Sequence, residues 1–488
     1  MSNIKKNFSY QIIYRIITVV TPLVTAPILS RALGAENLGV FSATQAYVNY
    51  FLLFAMLGVE NYGNRSIAAV QNIRDKRQKL FWNIYFVQFT ASTISIIVYV
   101  ITILFLPEGR KLIALLQGIW LLSTLFDINW FFFGCEQFKL TVTRNIIVKI
   151  ITVICIIIFI RKPNDLALYI VIMAGSMALS QLILWGSLRK FVSFEKPCIN
   201  EIKPHIKPIL VLFVPVLALS VFHIMDKSML DLLSNEANVG YYYSADKIIN
   251  IPLGIITAVG TVMLPRIANI LHNESIEHAK PLLKKSSELV VFLTASVGFG
   301  IAAIAKEFVP VFFGPGYESC VFLIYLFVPV LFVKAWSSLI RSQYLIPAKK
   351  DKLYISAVFC GAAANLISNY FLIIRYGAAG AVMGTLIAEA VVLIVQLVFV
   401  NKEIDFLRYY ISQFLYISFG IIMFIGVRLI AKHIIMNDIL KIAVLIVCGG
   451  TIYLGLSALL WSIKKDSIFR IYISSKCLFK GGKYPPKE

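Results

Sequence analysis

Long apolar runs separated by short polar connections make up nearly the whole chain. A transmembrane helix needs roughly 20 apolar residues, and about fourteen runs reach that length. We predict one helix in each of the ranges 9–30, 38–60, 81–106, 111–133, 143–160, 165–187, 208–231, 239–263, 287–312, 320–345, 353–374, 378–400, 408–431 and 439–462. Transmembrane strands would instead alternate apolar and polar residues in short segments. The predicted fold is therefore an all-α polytopic membrane protein.

A short sequence echo indicates how these helices are organised. Glu36-Asn-Leu-Gly39-Val-Phe41 follows the first run, and Glu236-Ala-Asn-Val-Gly240-Tyr-Tyr242 follows the seventh. Together with similar loop lengths, this offset of about 200 residues is typical of a transporter built from internal repeats. We expect two six-helix bundles, two appended helices and a basic cytoplasmic tail, with boundaries at 1–200, 201–402, 403–463 and 464–488.

The composition agrees with a membrane protein. Apolar residues make up 59% of the chain and charged residues 15%, against roughly 45–50% and 25% in soluble domains. Lys5 and Lys6 precede the first run as they would in a signal peptide. That run, however, contains Arg15 and continues to Leu33 without a convincing small-residue cleavage site. We therefore interpret it as an uncleaved first helix.

The excess of basic residues predicts topology. Lys and Arg total 46 and Asp and Glu 25, giving a net charge of +21. With the amino terminus placed inside, inner connections and tails hold about three times as many basic residues as outer ones, as the positive-inside rule requires. Four tryptophans fall near predicted inner ends, where an interfacial aromatic belt is expected: Trp82, Trp130, Trp185 and Trp461. We expect cytoplasmic termini and contact with anionic lipids, not nucleic acid.

Motifs for chemistry are missing from the sequence. The seven cysteines are scattered without metal-ligand spacing, and there is no Walker A, GxSxG or HExxH sequence. We expect no catalytic residue, no metal and no cofactor. These absences favour movement of a substrate over chemistry on it.

Charged residues inside the predicted helices are the informative exceptions, because each costs about 2.5–3.5 kcal/mol at a helix centre. The cations are Arg15, Lys149, Lys227, Lys247 and Lys334, and the acids are Asp127, Asp226, Asp246 and Glu389. For the neighbours at 226, 227, 246 and 247, mutual pairing and a functional role remain equally open.

For Arg15, Lys149 and Lys334, which lie at inner and middle depths, a water-filled cavity is the better interpretation. Surplus positive charge there suits an anionic substrate, because Arg binds phosphate through two hydrogen bonds and Lys as a point charge. Prolines within helices, which often accompany interrupted helices in transporters, are Pro22, Pro27, Pro215, Pro252 and Pro329.

Four stretches resemble the polysaccharide (O-antigen type) flippases of the MOP exporter superfamily. They are Pro27-Ile-Leu-Ser-Arg31-Ala-Leu-Gly34 with its continuation to Phe41; Gly58-Val-Glu60-Asn-Tyr-Gly63-Asn-Arg65; Asp226-Lys227 with Val239-Gly240-Tyr-Tyr242 and Leu264-Pro265-Arg266; and Tyr376-Gly377-Ala-Ala-Gly380-Ala with Glu389. Their order and spacing, more than any single motif, carry the resemblance.

The resemblance implies two six-helix bundles in a V around a cavity that opens alternately to either side of the bacterial inner membrane. The substrate would be an undecaprenyl-diphosphate-linked oligosaccharide for O-antigen, capsule or exopolysaccharide. A polysaccharide polymerase and a chain-length regulator would be partners. Arg15 lies at the place of cavity arginines in related lipid II flippases. Arg31 and Arg65 would be gate or helix-end residues, and the acids would couple H+ or Na+.

Other functions remain open at this stage. A lipid II flippase or a multidrug/cation antiporter would share the fold, although a drug exporter should favour acidic cavity residues. A membrane polysaccharide polymerase is the alternative of another class, but polymerases of this pathway resemble one another in a large outer loop that this chain lacks. The flippase hypothesis predicts that Arg15→Ala and Lys334→Ala reduce transport with membrane abundance retained.

Overall fold

The structure, a computed structural model, describes the backbone of residues 2–463. Within that range it describes all side chains except those of residues 2–16, 218–219, 221–223 and 261. The expected basic tail at 464–488 and the side chain of Arg15 therefore lie outside the described residues. The described part of the chain forms helices and no strand.

Sixteen α-helices follow one another along the described residues. They are α1 (Ser2–Met56), α2 (Val59–Val70), α3 (Arg74–Leu104), α4 (Glu108–Ser123), α5 (Asn129–Gly134), α6 (Phe138–Phe159), α7 (Leu166–Leu188), α8 (Ile199–Leu233), α9 (Glu236–Asn273), α10 (Ile276–Phe313), α11 (Ser319–Ile340), α12 (Asp351–Tyr376), α13 (Ala378–Val400), α14 (Phe406–Ser412), α15 (Phe414–His433) and α16 (Asp438–Ile463).

Twelve stretches within the described range are helical, long and apolar enough to cross a membrane. The first of them, Ile17–Val70, contains both arms of the kinked helix α1. Helix α8, which is not among the twelve, has 35 residues, and about 20 suffice to span a bilayer. The all-α polytopic fold predicted from the apolar runs is confirmed.

The breaks in the helices do not fall at the five prolines predicted within them. Pro215, Pro252 and Pro329 each lie inside an unbroken helix, as membrane helices allow when neighbouring groups satisfy the freed carbonyls. Helix α1 instead kinks at Gly34, whose φ of 77° and ψ of 171° belong to a region essentially restricted to glycine. The kink of α1 therefore lies at a residue without a side chain, Gly34.

The helix predicted at 111–133 is interrupted. Helix α4 ends at Ser123, a short 3-10 turn covers Thr124–Phe126, and α5 begins only at Asn129. Trp130 on α5 is completely buried and donates to Gln88 Oε1 at 2.8 Å. Its assignment to an interfacial aromatic belt is therefore wrong, because its indole N–H finds an acceptor inside the protein.

The chain divides into two compact units. The first contains the chain up to Lys247 together with the segments Phe312–Tyr317 and Ala362–Gly384. The second contains Ile248–Val311, Glu318–Gly361 and the chain from Thr385 onward. One core of the first unit packs α2, α3, α5 and α7 around aromatic side chains such as Phe81 and Trp130.

Candidate functional site

A cavity of about 400 Å³ in the first unit is lined by polar stripes on four helices. Residues three or four positions apart lie on one helix face, so each stripe presents its polar groups in one direction. The stripes are Thr18, Thr21 and Thr25 on α1; Asn145, Lys149 and Thr152 on α6; Tyr169, Ser176 and Ser180 on α7; and Tyr243 and Lys247 on α9. These stripes give the cavity hydroxyl, amide and ammonium groups beside its apolar lining.

Two lysines predicted from the sequence line this cavity. Lys149 Nζ donates to Thr18 Oγ1 at 3.2 Å. Lys247 Nζ donates to the Tyr243 hydroxyl at 2.8 Å and lies 4.5 Å from the centre of that ring. Of the described residues that line the cavity, none is acidic. The cavity can therefore accept an anion together with hydroxyl-rich groups.

Lys227 approaches the same tyrosine from outside the cavity lining. Its Nζ lies 5.4 Å from the centre of the Tyr243 ring and 3.6 Å from Asp246 Oδ2. Both members of this ion pair are partly buried. Lys227 thus combines a charge partner with a cation–π contact to a cavity residue, which holds Tyr243 in place.

Arg144 makes hydrogen bonds to residues that line the cavity, and it was not predicted from the sequence. Its side chain is buried and donates to Ser180 O at 2.7 Å and to Asn145 Oδ1 at 2.6 Å, and both of these residues line the cavity. A third bond of 2.9 Å reaches Asn129 Oδ1. Because Arg144 lies at the start of a predicted helix, the sequence indicates only a charged residue next to a loop. Its position one residue before Asn145, at the head of the α6 stripe, is the signal that could have revealed it.

Asp127, predicted to pair with charges or couple ions, lies in the same network. Its Oδ1 accepts from the backbone N–H of Asn129 at 3.0 Å and from Asn129 Nδ2 at 2.8 Å. Asn129 Nδ2 also donates to Gln181 Oε1 on α7. In this geometry the carboxylate holds the break before α5 and orders the amides around Arg144.

Asp226 is the centre of a separate buried network in the first unit. Oδ1 accepts from Asn365 Nδ2 and Asn369 Nδ2, each at 2.8 Å, and Oδ2 accepts from the Tyr242 hydroxyl at 2.8 Å. The two asparagines lie four residues apart on α12, so both reach the same carboxylate. Asp226 thus gathers neutral donors from α9 and α12, whereas its neighbour Lys227 contacts Asp246.

Lys334 and Glu389 belong to the second unit. Lys334 Nζ on α11 lies 3.7 Å from Glu389 Oε1 on α13, and both side chains are largely buried. The same helix α11 ends in a π-helical turn over Arg341–Leu345. There Arg341 Nη1 donates to the Tyr354 hydroxyl at 3.2 Å. These residues form a polar cluster in the second unit.

The structure places the two predicted gate or helix-end arginines differently from each other. Arg31 is exposed and lies three residues before the kink at Gly34, so it is near the end of the first arm of α1. Arg65 does not lie at the end of the second predicted helix. Helix α1 ends at Met56, Leu57 adopts a φ of 47°, and Arg65 lies in the middle of the separate helix α2 with its side chain exposed.

The two echoing segments pack directly on each other. A Cβ built on Gly39 would lie 1.8 Å from Glu236 O, and one built on Gly240 would lie 1.9 Å from Ala35 O. Each helix start therefore crosses the other at a glycine, in a reciprocal contact that only a missing side chain allows.

An ion-pair cluster that we call the Arg110 clamp adjoins this glycine contact. Arg110 Nη1 donates to Asp231 Oδ2 at 2.8 Å, and Nη2 donates to Glu236 Oε1 at 2.7 Å. The Tyr47 hydroxyl also donates to Asp231 Oδ2. Sequence reasoning assigned Arg110 only to the charge of an outer loop. The clamp ties the start of α4 to the α8–α9 connection.

Comparisons with known proteins agree with this fold. A family model described as "Polysaccharide biosynthesis protein" matches residues 4–271, more than half of the chain. The chain is 23% identical over 409 residues to a protein of Escherichia coli (strain K12) named "Putative O-antigen transporter", covering 82% of this chain and 97% of that protein.

Two solved structures have a similar fold. One is the lipid II flippase MurJ in an inward closed conformation, with a TM-score of 0.72 and 14% identity, covering 93% of this chain and 98% of that one. The other is an inward-facing multidrug resistance MATE family transporter of the MOP superfamily, with a TM-score of 0.57 and 16% identity, covering 80% and 95%. At these identities the two structures establish a shared fold.

Proposed function

Because the chain belongs to the family of polysaccharide biosynthesis proteins, we propose that it is a flippase for lipid-linked oligosaccharides. The cargo would be an undecaprenyl-diphosphate-linked repeat unit, moved from the cytoplasmic to the outer face of the bacterial inner membrane. The similarity to a protein named as an O-antigen transporter supports this substrate class. The observation that carries the proposal is the cavity lined by both Lys149 and Lys247.

The chemistry of that cavity fits such a cargo. A diphosphate and a sugar chain cannot cross about 30 Å of hydrocarbon unaided. The two ammonium groups replace part of the water around the diphosphate, and the hydroxyl and amide side chains of the stripes suit sugar hydroxyls. The polyprenyl tail can remain in the surrounding lipid, because it needs no polar partner.

Transport also requires that the cavity open to the two sides in turn, and we propose that the Arg110 clamp and the glycine contact are broken in one half of that cycle. The clamp consists of ion pairs and a tyrosine hydrogen bond that can separate and re-form without covalent change. With the basic connections placed inside, this end of the helices faces the outside of the cell. Breaking these contacts would release the cargo there, where a polymerase and a chain-length regulator act on it.

We further propose that Asp226 couples transport to H+ or Na+. Its carboxylate is buried among Tyr242, Asn365 and Asn369, which are neutral groups. Acidic residues buried within membrane-spanning helices commonly mark ion pathways and proton relays. Transport into proteoliposomes under a pH gradient or a Na+ gradient would identify the ion, and Asp226→Asn should remove the response to that gradient.

A deletion strain tests the proposed function. A flippase predicts that complete lipid-linked repeat units accumulate and stay inaccessible to a probe added from outside. A polymerase predicts that single repeat units reach the outside normally and only chain length collapses. The second result would overturn the proposal. Accumulation of lipid II in place of the oligosaccharide would assign the chain to peptidoglycan synthesis.

A further inference from the structure

A second, larger groove lies where α3 begins and α7 ends, apart from the cavity lined by Lys149 and Lys247. Its volume is about 800 Å³, and its walls include Trp82, Trp185, Leu188, Arg189, Val192 and Phe194. None of these residues lines the cavity that contains Lys149 and Lys247. We call this feature the interfacial groove, because apolar helix gives way here to a basic connecting segment.

Hydrogen bonds fix both indoles of the groove. Trp82 Nε1 donates to Ser193 O at 2.9 Å, and its ring meets Phe194 edge-on with centroids 5.0 Å apart. Trp185 Nε1 donates to Phe126 O at 3.0 Å. Tryptophan, with an apolar ring and an N–H that finds a hydrogen-bond acceptor, is typical of membrane–water interfaces.

The charge at the mouth of the groove is positive. Arg189 lines the groove and is exposed, its neighbour Lys190 is also exposed, and among the described residues Arg189 forms no ion pair within 4 Å. The acids of the following segment, Glu195 and Glu201, both face Lys79, at 3.7 and 3.8 Å. The guanidinium of Arg189 is therefore placed to bind an anion.

An apolar surface leads away from the groove along both helices. Phe86 and Phe89 on α3 and Leu182 and Ile183 on α7 are large apolar side chains that are exposed. In a membrane-spanning chain they face hydrocarbon. A ligand that fits both ends has an anionic head and apolar chains.

We propose that the interfacial groove binds one anionic phospholipid. Its phosphate lies against Arg189, its glycerol region lies between the two indoles, and its acyl chains follow α3 and α7. The positive charge at the mouth of the groove selects an anionic headgroup, and the aromatic walls set the depth of the lipid in the membrane. Such a lipid would anchor the first unit at the membrane surface without entering the transport cavity.

Native mass spectrometry of the full-length protein in detergent tests this proposal. The probes are phosphatidylglycerol and phosphatidylcholine with identical acyl chains. We expect the wild type to retain phosphatidylglycerol more strongly, and Arg189→Ala to weaken its binding about fivefold, the effect of removing one basic residue near an anionic lipid. Arg161→Ala is the matched control and should behave as wild type, because Arg161 is exposed and lies in the α6–α7 connection, away from the groove.

Two outcomes with the wild type and Arg189→Ala would overturn the proposal, and Phe194→Ala adds a third. One is equal retention of the two lipids by the wild type, and the other is undiminished phosphatidylglycerol binding by Arg189→Ala. Phe194→Ala separates the apolar contribution, because this side chain is 76% exposed and carries no charge. Phe194→Ala should weaken the binding of both lipids by the same factor. Unchanged binding of both lipids would also contradict the assignment of this groove.

Discussion

At the residue scale, the charges inside apolar helices turn out to differ in kind. Lys149 and Lys247 line a cavity among hydroxyl groups, whereas Lys334 lies against Glu389. A charge within a membrane helix costs several kcal/mol in either setting. We therefore predict the role of each charge from its environment and not from its presence alone.

Removing the cavity lysines should impair transport. We expect Lys149→Ala and Lys247→Ala each to lower the rate of oligosaccharide flipping about tenfold or more, because a charged hydrogen bond contributes about 1.5–3 kcal/mol. Lys139→Ala is the matched control, since Lys139 lies on the same helix α6 with its side chain exposed. The measurement is repeat-unit translocation in cells with equal membrane abundance. Wild-type rates in both cavity variants would contradict the site.

Testing the role of Lys334 requires a double variant, because replacing this lysine alone removes the ion-pair partner of the buried Glu389 carboxylate. We expect Lys334→Ala to lower both Tm and transport, since breaking a buried ion pair costs about 3–5 kcal/mol. The double variant Lys334→Met/Glu389→Leu should recover Tm while transport stays low. Recovery of transport together with Tm would show that the lysine only stabilises the second unit.

Glu403 gives stability a pH dependence. Hydrogen bonds from Lys350 and Tyr344 hold the pKa of its carboxyl below the ordinary value of 4.5. The contribution is therefore fully present above pH 4.5 and is lost as the pH falls through the lowered pKa. For a partly exposed pair it amounts to less than about 1 kcal/mol.

The variant Glu403→Gln measures that contribution. We expect its Tm in detergent to lie below that of the wild type at pH 7 and the difference to disappear on acidification below 4.5. A difference that grows as the pH falls would have the wrong sign for a depressed carboxyl pKa.

At the element scale, the close contact between α1 and α9 depends on two glycines, and the kink of α1 falls at a glycine and not at a proline. The contact between α1 and α9 brings Gly39 onto Glu236 O and Gly240 onto Ala35 O. The echo seen in the sequence is thus a pair of segments that meet, with each glycine making room for the other backbone.

Any side chain at this contact should separate the helices. We expect Gly39→Ala and Gly240→Ala to lower stability by about 1–3 kcal/mol, as overpacking usually does. At Gly175 in α7 no atom lies within 4 Å of an added Cβ. Gly175→Ala should therefore leave stability unchanged or raise it by up to about 1 kcal/mol through helix propensity. Thermal unfolding in detergent measures all three, and equal effects at the three sites would contradict the close contact.

At the scale of the whole molecule, the distribution of basic residues predicts which side each connection faces. The α3–α4 and α6–α7 connections are predicted outside, and the α2–α3 and α7–α8 connections inside. We expect alkaline phosphatase fused after Lys162 to be active and the same enzyme fused after Lys190 to be inactive. The reverse pattern would invert the proposed direction of transport while leaving the fold intact.

The all-α polytopic fold and most helix positions follow from the sequence alone. Hydrocarbon leaves a spanning chain few choices but helix, so run length and charge bias suffice to predict them. The division into bundles at residues 200 and 402 stays a prediction, as do the roles of Arg15, Arg31 and Arg65.

Only the tertiary structure decided which side chains meet. Lys149 and Lys247 lie almost a hundred residues apart in the chain and share one cavity, Asp226 lies among two asparagines of α12, and Trp130 is buried instead of interfacial. In a bilayer, lipid-facing and protein-facing positions are both apolar, so the sequence carries little information on the rotation of each helix. The packing of the helices supplies that rotation, and with it the chemistry of the cavity.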